Sequence, residues 1–480
     1  MNRRMVFFMT GRIVLLEAAL LLLPLLVSVI YRESCGWAVL AASAVALVVG
    51  GGLSLFSRPK TQTIYAKEGF VIVALSWLIL STVGALPFFL SREIPSYIDA
   101  LFETISGFTT TGASILTDVE SMSHGLLFWR SFTHWIGGMG VLVLVMALVP
   151  TGSGRSIHMM RAEVPGPIVG KLVPRVRDTA KILYLIYLVL TFIEIALLLL
   201  ADMPLFDSVI HAFGTAGTGG FGIKADSIAG YTPAAQWIIT VFMWLFGINF
   251  NLYYLLLIRA FRGVLSNREL WVYFGVTVAA VVLITCNTLP LYDGFGEAVR
   301  YAAFQTVSIV TTTGYATTNF DLWPELSKAV LFLLMFIGGC AGSTAGGLKV
   351  SRLVLLIKTV GRDLKRLVHP RSVGVIKLEG KRVEDTVVRS TSAYFVLYFL
   401  LVGGCFLLVS GEPFGLESNL SAVVACINNV GPGFGEVGPA GSFAAYSGFS
   451  KIVLSFAMLF GRLEIYPLLI TLMPRTWMKD

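Results

Sequence analysis

The sequence predicts an all-α membrane protein: four pseudo-symmetric helix–pore-loop–helix repeats around one pore, plus two extra N-terminal transmembrane helices. Three observations predict it. Of 480 residues, 56% are hydrophobic and 13% charged, which removes the chain from the soluble globular class. Ten apolar segments, at 13–31, 37–56, 69–90, 126–149, 182–201, 237–258, 270–286, 329–348, 393–410 and 452–473, are each near the roughly 20 residues that span a bilayer. One short Gly-bearing turn also recurs, as Thr110-Thr111-Gly112, Gly217-Thr218-Gly219, Thr312-Thr313-Gly314 and Gly431-Pro432-Gly433.

Taken in order, the basic N-terminal stretch and segment 13–31 carry no small-residue cleavage pattern, and a second apolar run follows at once. They read as a helix pair, not a secretory signal. The other eight segments form four pairs, each bracketing a shorter, half-apolar stretch that ends in one of the turns. This divides the chain into a helix pair (1–60) and four pore repeats (61–155, 156–265, 266–368 and 369–480). The third turn residues, Gly112, Gly219, Gly314 and Gly433, lie 107, 95 and 119 residues apart, too far for a solenoid. That spacing suits two spans with a re-entrant loop, since non-helical backbone at membrane depth is tolerated where it lines a wet cavity. The stretches before the turns begin near Asp99, Asp207, Glu297 and Glu417, where a helix dipole favours acids. Ordinary capping accounts for the acids equally well.

Charge gives the topology. Most of the 36 Lys and Arg lie at 1–12, 57–68, 155–181, 259–268, 349–389 and 475–480, which puts both termini in the cytoplasm. The opposite side, with Arg130 among its few basic residues, is richer in acids such as Asp118, Glu120, Asp226, Asp321 and Glu436, and would concentrate cations. The net charge of +8 is explained by this loop bias, so nucleic acid is not an indicated partner. The basic segments 155–181 and 349–389 suit an intracellular partner or anionic lipid headgroups; as solvated orienting loops they need neither. Five cysteines without a Cys-x-x-Cys pair read as core residues. His124, His134, His158, His211 and His369 form no catalytic or metal motif, so no enzyme is indicated.

The chemistry lies in the turns, where small residues let main-chain carbonyls face inward and replace the water around a dehydrated cation. They are not equivalent, and Pro432 brings a carbonyl without an amide, so one well-formed ring flanked by imperfect ones is expected. Arg462 lies mid-way through the last apolar segment, and Glu464 sits about 200° around a helix from it, so the two do not pair on one face. Below the filter Arg462 is an adjustable barrier to cations, or else a tether to carbonyls or an acid on another helix. Gly338-Gly339-Cys340-Ala341-Gly342-Ser343-Thr344-Ala345-Gly346-Gly347, before Lys349, should unwind into a gate loop; close helix packing through small residues is the alternative.

The four turns stand with Asn428-Asn429-Val430-Gly431-Pro432-Gly433-Phe434-Gly435, Arg161-Ala162-Glu163-Val164-Pro165-Gly166-Pro167, the Gly-rich stretch before Leu348-Lys349, and Gly461-Arg462-Leu463-Glu464-Ile465-Tyr466-Pro467. With these, nearly the whole chain resembles the Trk/Ktr/HKT superfamily of cation transporters, in its TrkH/TrkG-type branch of bacterial potassium-uptake subunits. The resemblance implies potassium as the ion at the filter (Thr110, Thr111, Gly112, Gly217, Thr218, Gly219, Thr312, Thr313, Gly314, Gly431, Pro432, Gly433). In related HKT proteins a Ser at the first filter glycine goes with sodium, so Gly112 implies potassium. It also implies a gate made of Gly338, Gly339, Gly342, Ser343, Thr344, Gly346, Gly347, Lys349 and Arg462, in the inner membrane. Assembly would be a homodimer on a cytosolic TrkA-type ring. No Gly-x-Gly-x-x-Gly fingerprint stands at a strand–helix turn, so nucleotide is expected on the partner and no organic cofactor on this chain. Ions driven by membrane potential gain about 2.3 kcal/mol per charge per 100 mV. A proton- or sodium-coupled symporter is the alternative, with Glu17 and Glu194 as its intramembrane acids.

Overall fold

The computed structural model describes residues 1–59, 65–140, 176–372, 374–378 and 381–478. Apart from a short antiparallel hairpin, β1 (Lys377–Leu378) with β2 (Lys381–Arg382), the regular structure is helical. The N-terminal unit consists of α1 (Arg3–Leu20), α2 (Leu22–Ile30) and α3 (Gly36–Phe56). α1 and α3 approach closely through small residues: a Cβ added at Gly11 would lie 2.8 Å from the Gly50 carbonyl oxygen. Membrane helices without a hydrophobic drive to associate gain dispersion contacts in this way.

Four copies of one pattern follow. Repeat one has α4 (Ala66–Gly84), a short α5 (Leu86–Ser91), the pore helix α6 (Tyr97–Phe108) and α7 (His124–Gly138). Repeat two has α8 (Val176–Leu200), pore helix α9 (Leu205–Gly217), α10 (Pro233–Phe246), α11 (Phe250–Leu257) and α12 (Phe261–Leu265). In repeat three come α13 (Arg268–Thr288), pore helix α14 (Phe295–Val310), α15 (Glu325–Ile337) and α16 (Val350–Val368). Repeat four holds α17 (Asp385–Val409), pore helix α18 (Leu416–Ile427), α19 (Gly448–Arg462), α20 (Tyr466–Leu472) and α21 (Pro474–Trp477). Asp99, Asp207, Glu297 and Glu417 each sit in the first turn of their pore helix. Outward-facing Phe56 and Leu200 are 91% and 81% exposed, as lipid-facing side chains of a multi-pass protein are.

The second helix of the second, third and fourth pairs differs from expectation. Six helices among the described residues are long and apolar enough to span, and the pair α10 and α11, bent by 91°, makes a seventh. The expected spans 237–258, 329–348 and 452–473 are all broken, because each carries glycine or a polar residue at its middle: Gly247-Ile248-Asn249, Gly338-Gly339, and Gly461-Arg462. The segment 126–149 is described only as far as 140, and the loop Arg161–Pro167 lies outside the described residues. The breaks let these helices approach the pore-helix ends. Gly137 lies on the Phe108 carbonyl, Gly461 on the Ile427 carbonyl, and a Cβ at Gly138 would stand 2.6 Å from the Gly217 Cα.

Arg130, expected among the outer-side charges, is instead buried. Its Nε donates to Glu103 of the first pore helix at 2.6 Å, and its Nη1 donates to the Gly222 carbonyl at 2.9 Å. Glu103 also accepts from Ser114 Oγ and the Ile115 amide, both at 2.9 Å, so the pair fastens pore helix one to the segments that follow Gly-bearing turns one and two. Breaking such a pair leaves an uncompensated buried charge and costs roughly 3–5 kcal/mol. Arg130→Met is therefore expected to lower the thermal midpoint of the detergent-solubilised protein sharply. Adding Glu103→Leu to it should recover part of the loss.

Candidate functional site

Each pore helix ends in the same hydrogen-bonded cap. The amides of Thr111, Gly219, Thr313 and Val430 donate back to the carbonyls of Ser106, Gly214, Ser308 and Ala425 at 2.8–2.9 Å. The residues just before them, Thr110, Thr218, Thr312 and Asn429, take φ of +54° to +57°. This is the left-handed cap that satisfies the last carbonyls of a helix. Two residues later comes a glycine with positive φ in every copy: Gly112 (+80°), Gly220 (+76°), Gly314 (+83°) and Gly431 (+101°). The equivalent turns are thus Thr110–Gly112, Thr218–Gly220, Thr312–Gly314 and Asn429–Gly431. Relative to the sequence expectation, the register moves one residue later in repeat two and two earlier in repeat four. Pro432 and Gly433 lie just beyond the fourth turn. There the Gly433 amide donates to the Val437 carbonyl at 2.7 Å, and the Pro432 ring packs against Gly314.

The four turns close a ring. A Cβ built on Gly112 would run into the carbonyl oxygen of Gly219, one on Gly220 into that of Thr313, one on Gly314 into that of Val430, and one on Gly431 would stand 2.7 Å from that of Thr111. Each glycine packs against the carbonyl of the next turn, in the order one, two, three, four, one. A cavity of about 420 Å³ opens on one side of this ring, bordered by all four glycines and by Lys224 and Glu436.

Behind the ring the quarters differ. In repeats one and three the threonine hydroxyls pair, Thr109 with Thr111 at 2.7 Å and Thr311 with Thr313 at 2.8 Å. In repeat four, Asn429 Nδ2 donates to Thr111 Oγ1 at 2.9 Å and to the Met458 carbonyl at 3.0 Å. In repeat two, Gly217 and Gly219 have no side chains because α7 occupies the space: the His134 carbonyl lies on Gly217 and its imidazole on Gly219.

On the other side of the ring lies the Gly-rich segment, which is a loop as expected. The amide of Gly346 donates to Thr312 Oγ1 at 2.6 Å and that of Gly347 to the Asn428 carbonyl at 3.0 Å. The Cys340 amide donates to the Gly247 carbonyl at 2.9 Å, and Glu269 accepts from the amides of Ala341 (2.7 Å) and Ser351 (3.0 Å). Gly338, Gly342 and Gly347 hold φ of +73° to +74°, and Lys349 holds +73° as well while its ammonium donates to the Ala345 carbonyl. Gly339 meets the Ser343 hydroxyl, 3.0 Å from where its Cβ would stand. Arg462 donates to the carbonyls of Thr344 (2.9 Å), Gly138 (2.7 Å) and Gly137. Repeats one and three are diagonal in the ring, so a guanidinium bonded to both crosses close to the pore axis. Glu464, which lies past the end of α19 with φ of +56°, pairs with Arg352 at 2.5 Å, so the helical spacing expected between it and Arg462 does not apply.

The structure brings the turns, the loop and Arg462 together. Glu17 and Glu194 are buried but border no part of the cavity above the ring. Sequence reading missed Gly220 and Asn429 as turn members, and missed Glu103 and Glu269 as buried carboxylates. An acid inside an apolar pore helix was the available signal for Glu103. Among the described residues no group of three His, Cys, Asp or Glu could hold a metal ion.

A model of the TrkH family, described as cation transport protein, matches residues 36–270 and 269–478. The Trk system potassium uptake protein TrkH of Salmonella typhimurium is 39% identical over 484 residues, covering 99% of this chain and 100% of that protein. TrkG of Escherichia coli K12 is 33% identical, over 97% of each. The crystal structure of the potassium transporter TrkH from Vibrio parahaemolyticus aligns at TM-score 0.89 and 35% identity, over 100% of both chains.

Positive φ at a non-glycine residue costs about 1–3 kcal/mol, and here an added methyl also meets a carbonyl. Gly220→Ala is therefore expected to abolish cation flux in liposomes while size-exclusion profile and circular dichroism stay those of the wild type. Unchanged flux would contradict the register given above.

Proposed function

The chain belongs to the TrkH family of cation transport proteins, and we propose that it takes up potassium across the bacterial inner membrane through a gated, channel-like pore. The observation that carries this reading is the closed ring, in which the carbonyls of Thr111, Gly219, Thr313 and Val430 each abut the glycine of a neighbouring turn. Carbonyl oxygens so placed replace a cation's hydration shell. Pore-helix C-termini aimed at the same layer add negative dipole, and the first-turn acids sit at the opposite, favourable end.

Membrane potential drives entry in this reading, worth about 2.3 kcal/mol per charge per 100 mV. Coupling to protons or sodium would call for an acid on the ion route, and neither Glu17 nor Glu194 borders the cavity. The loop between Gly338 and Lys349, with Arg462 bonded across it, is the gate. Passage requires the guanidinium to leave the Thr344 carbonyl or the loop to swing with it. Both termini lie in the cytoplasm, where the basic α16, with Lys358, Arg362, Lys365 and Arg366, faces a cytosolic nucleotide-binding TrkA-type ring under a homodimer.

In proteoliposomes, potassium flux should follow an imposed diffusion potential and ignore a pH gradient at zero potential. Flux that tracks the pH gradient would restore the symport reading. Arg462→Ala removes a charge-assisted tether and a positive charge near the axis, so flux at a given potential should rise. No change, or a fall, would strip Arg462 of the barrier role.

A further inference from the structure

We infer that His134 positions the second quarter of the filter and thereby sets ion discrimination, doing from a neighbouring helix what threonine side chains do in repeats one and three. This inference rests on the transport reading above. The carbonyl-bearing residues of the ring are Thr111, Gly219, Thr313 and Val430, and only Gly219 lacks a side chain to hold it in place. In the threonine quarters a hydroxyl pair fixes that residue at 2.7 and 2.8 Å. In repeat two the space beside Gly219 is filled by the His134 ring, whose Cγ and Nδ1 occupy the place of a Cβ.

The ring is itself held on three sides. Its Nδ1 stands 2.7 Å from the Gly107 carbonyl in the last turn of pore helix one, so that nitrogen donates and carries the proton. The Phe221 ring packs on it with centroids 4.2 Å apart, and the His134 backbone carbonyl rests on Gly217. The residue is fully buried. A planar group pinned to pore helix one and pressed against filter turn two links two neighbouring quarters, as Asn429 links quarters four and one through Thr111. Filter geometry decides which ion is matched, so a turn freed on one side relaxes toward sites that no longer tell potassium from sodium. His134 touches no ion in this scheme; it is a positioning residue.

The test is a swap between neighbours, with potassium and sodium fluxes measured separately on the full chain in liposomes. Their ratio is independent of how much protein is folded. His134→Ala should keep potassium flux but lower the potassium-to-sodium ratio by roughly threefold to tenfold. Gly219→Ala alone drives a methyl into the imidazole and should stop flux. The pair His134→Ala with Gly219→Ala should bring potassium flux back. A wild-type ratio in His134→Ala, or a double variant as inactive as Gly219→Ala, would overturn the inference and leave the transport reading standing. A wild-type chain that passes no potassium would overturn both.

Discussion

Everything in this molecule is arranged around the way four pore helices stop. A helix end leaves carbonyls without intrahelical partners, and in an apolar surrounding each must be satisfied. The left-handed cap does that at Thr110, Thr218, Thr312 and Asn429, and it turns the chain so that the next residue's carbonyl abuts the glycine of a neighbouring turn. A positive-φ glycine then lets the neighbouring quarter approach to contact. The breaks after α10, α15 and α19 serve the same end, since unbroken spans would hold their backbones away from the pore-helix termini.

The turns therefore define the layer, and the layer dictates what must lie behind it. The turns are held from outside in three ways: by hydroxyl pairs at Thr111 and Thr313, by the Asn429 amide that ties quarter four to quarter one, and by an imidazole on the adjoining helix beside Gly219. Glu103 and Arg130 then tie pore helix one to the segments leaving turns one and two. Such a pair adds little net stability against an apolar replacement, but half of it is costly, so it acts as a constraint on geometry.

How much of this could be read in advance follows from what each signal encodes. Hydropathy gave the helix pairs, and the recurrence of Gly-bearing triplets gave four quarters, because both are properties of composition along the chain. The register within the turns was hidden. Gly431-Pro432-Gly433 offers more glycines than the cap needs, and Asn429 takes the left-handed conformation without being glycine. Only the backbone angles pick out Gly220 and Gly431. The breaks were hidden for a related reason: a few small residues barely lower the hydropathy of a 20-residue window. The unwinding of 338–347 was legible, since five glycines in ten residues cannot favour a helix. The partners of Arg462, three carbonyls from two other repeats, belong to tertiary structure alone.

The gate in the proposed reading also accounts for a single chain supplying all four quarters. Four identical subunits would place four Gly-rich loops and four arginines under one ring, and four like charges near the axis in a low-dielectric pore repel strongly. The loops would also compete for the same space. One chain can put the loop in repeat three and the arginine in repeat four only, and let that arginine join the loop to the adjoining repeat one. The cost is imperfect fourfold symmetry at the ring, visible in the hydroxyl pairs behind Thr111 and Thr313, the imidazole beside Gly219 and the Asn429 amide in repeat four. In the proposed reading an asymmetric gate and a set of unequal supports are thus two consequences of the same choice.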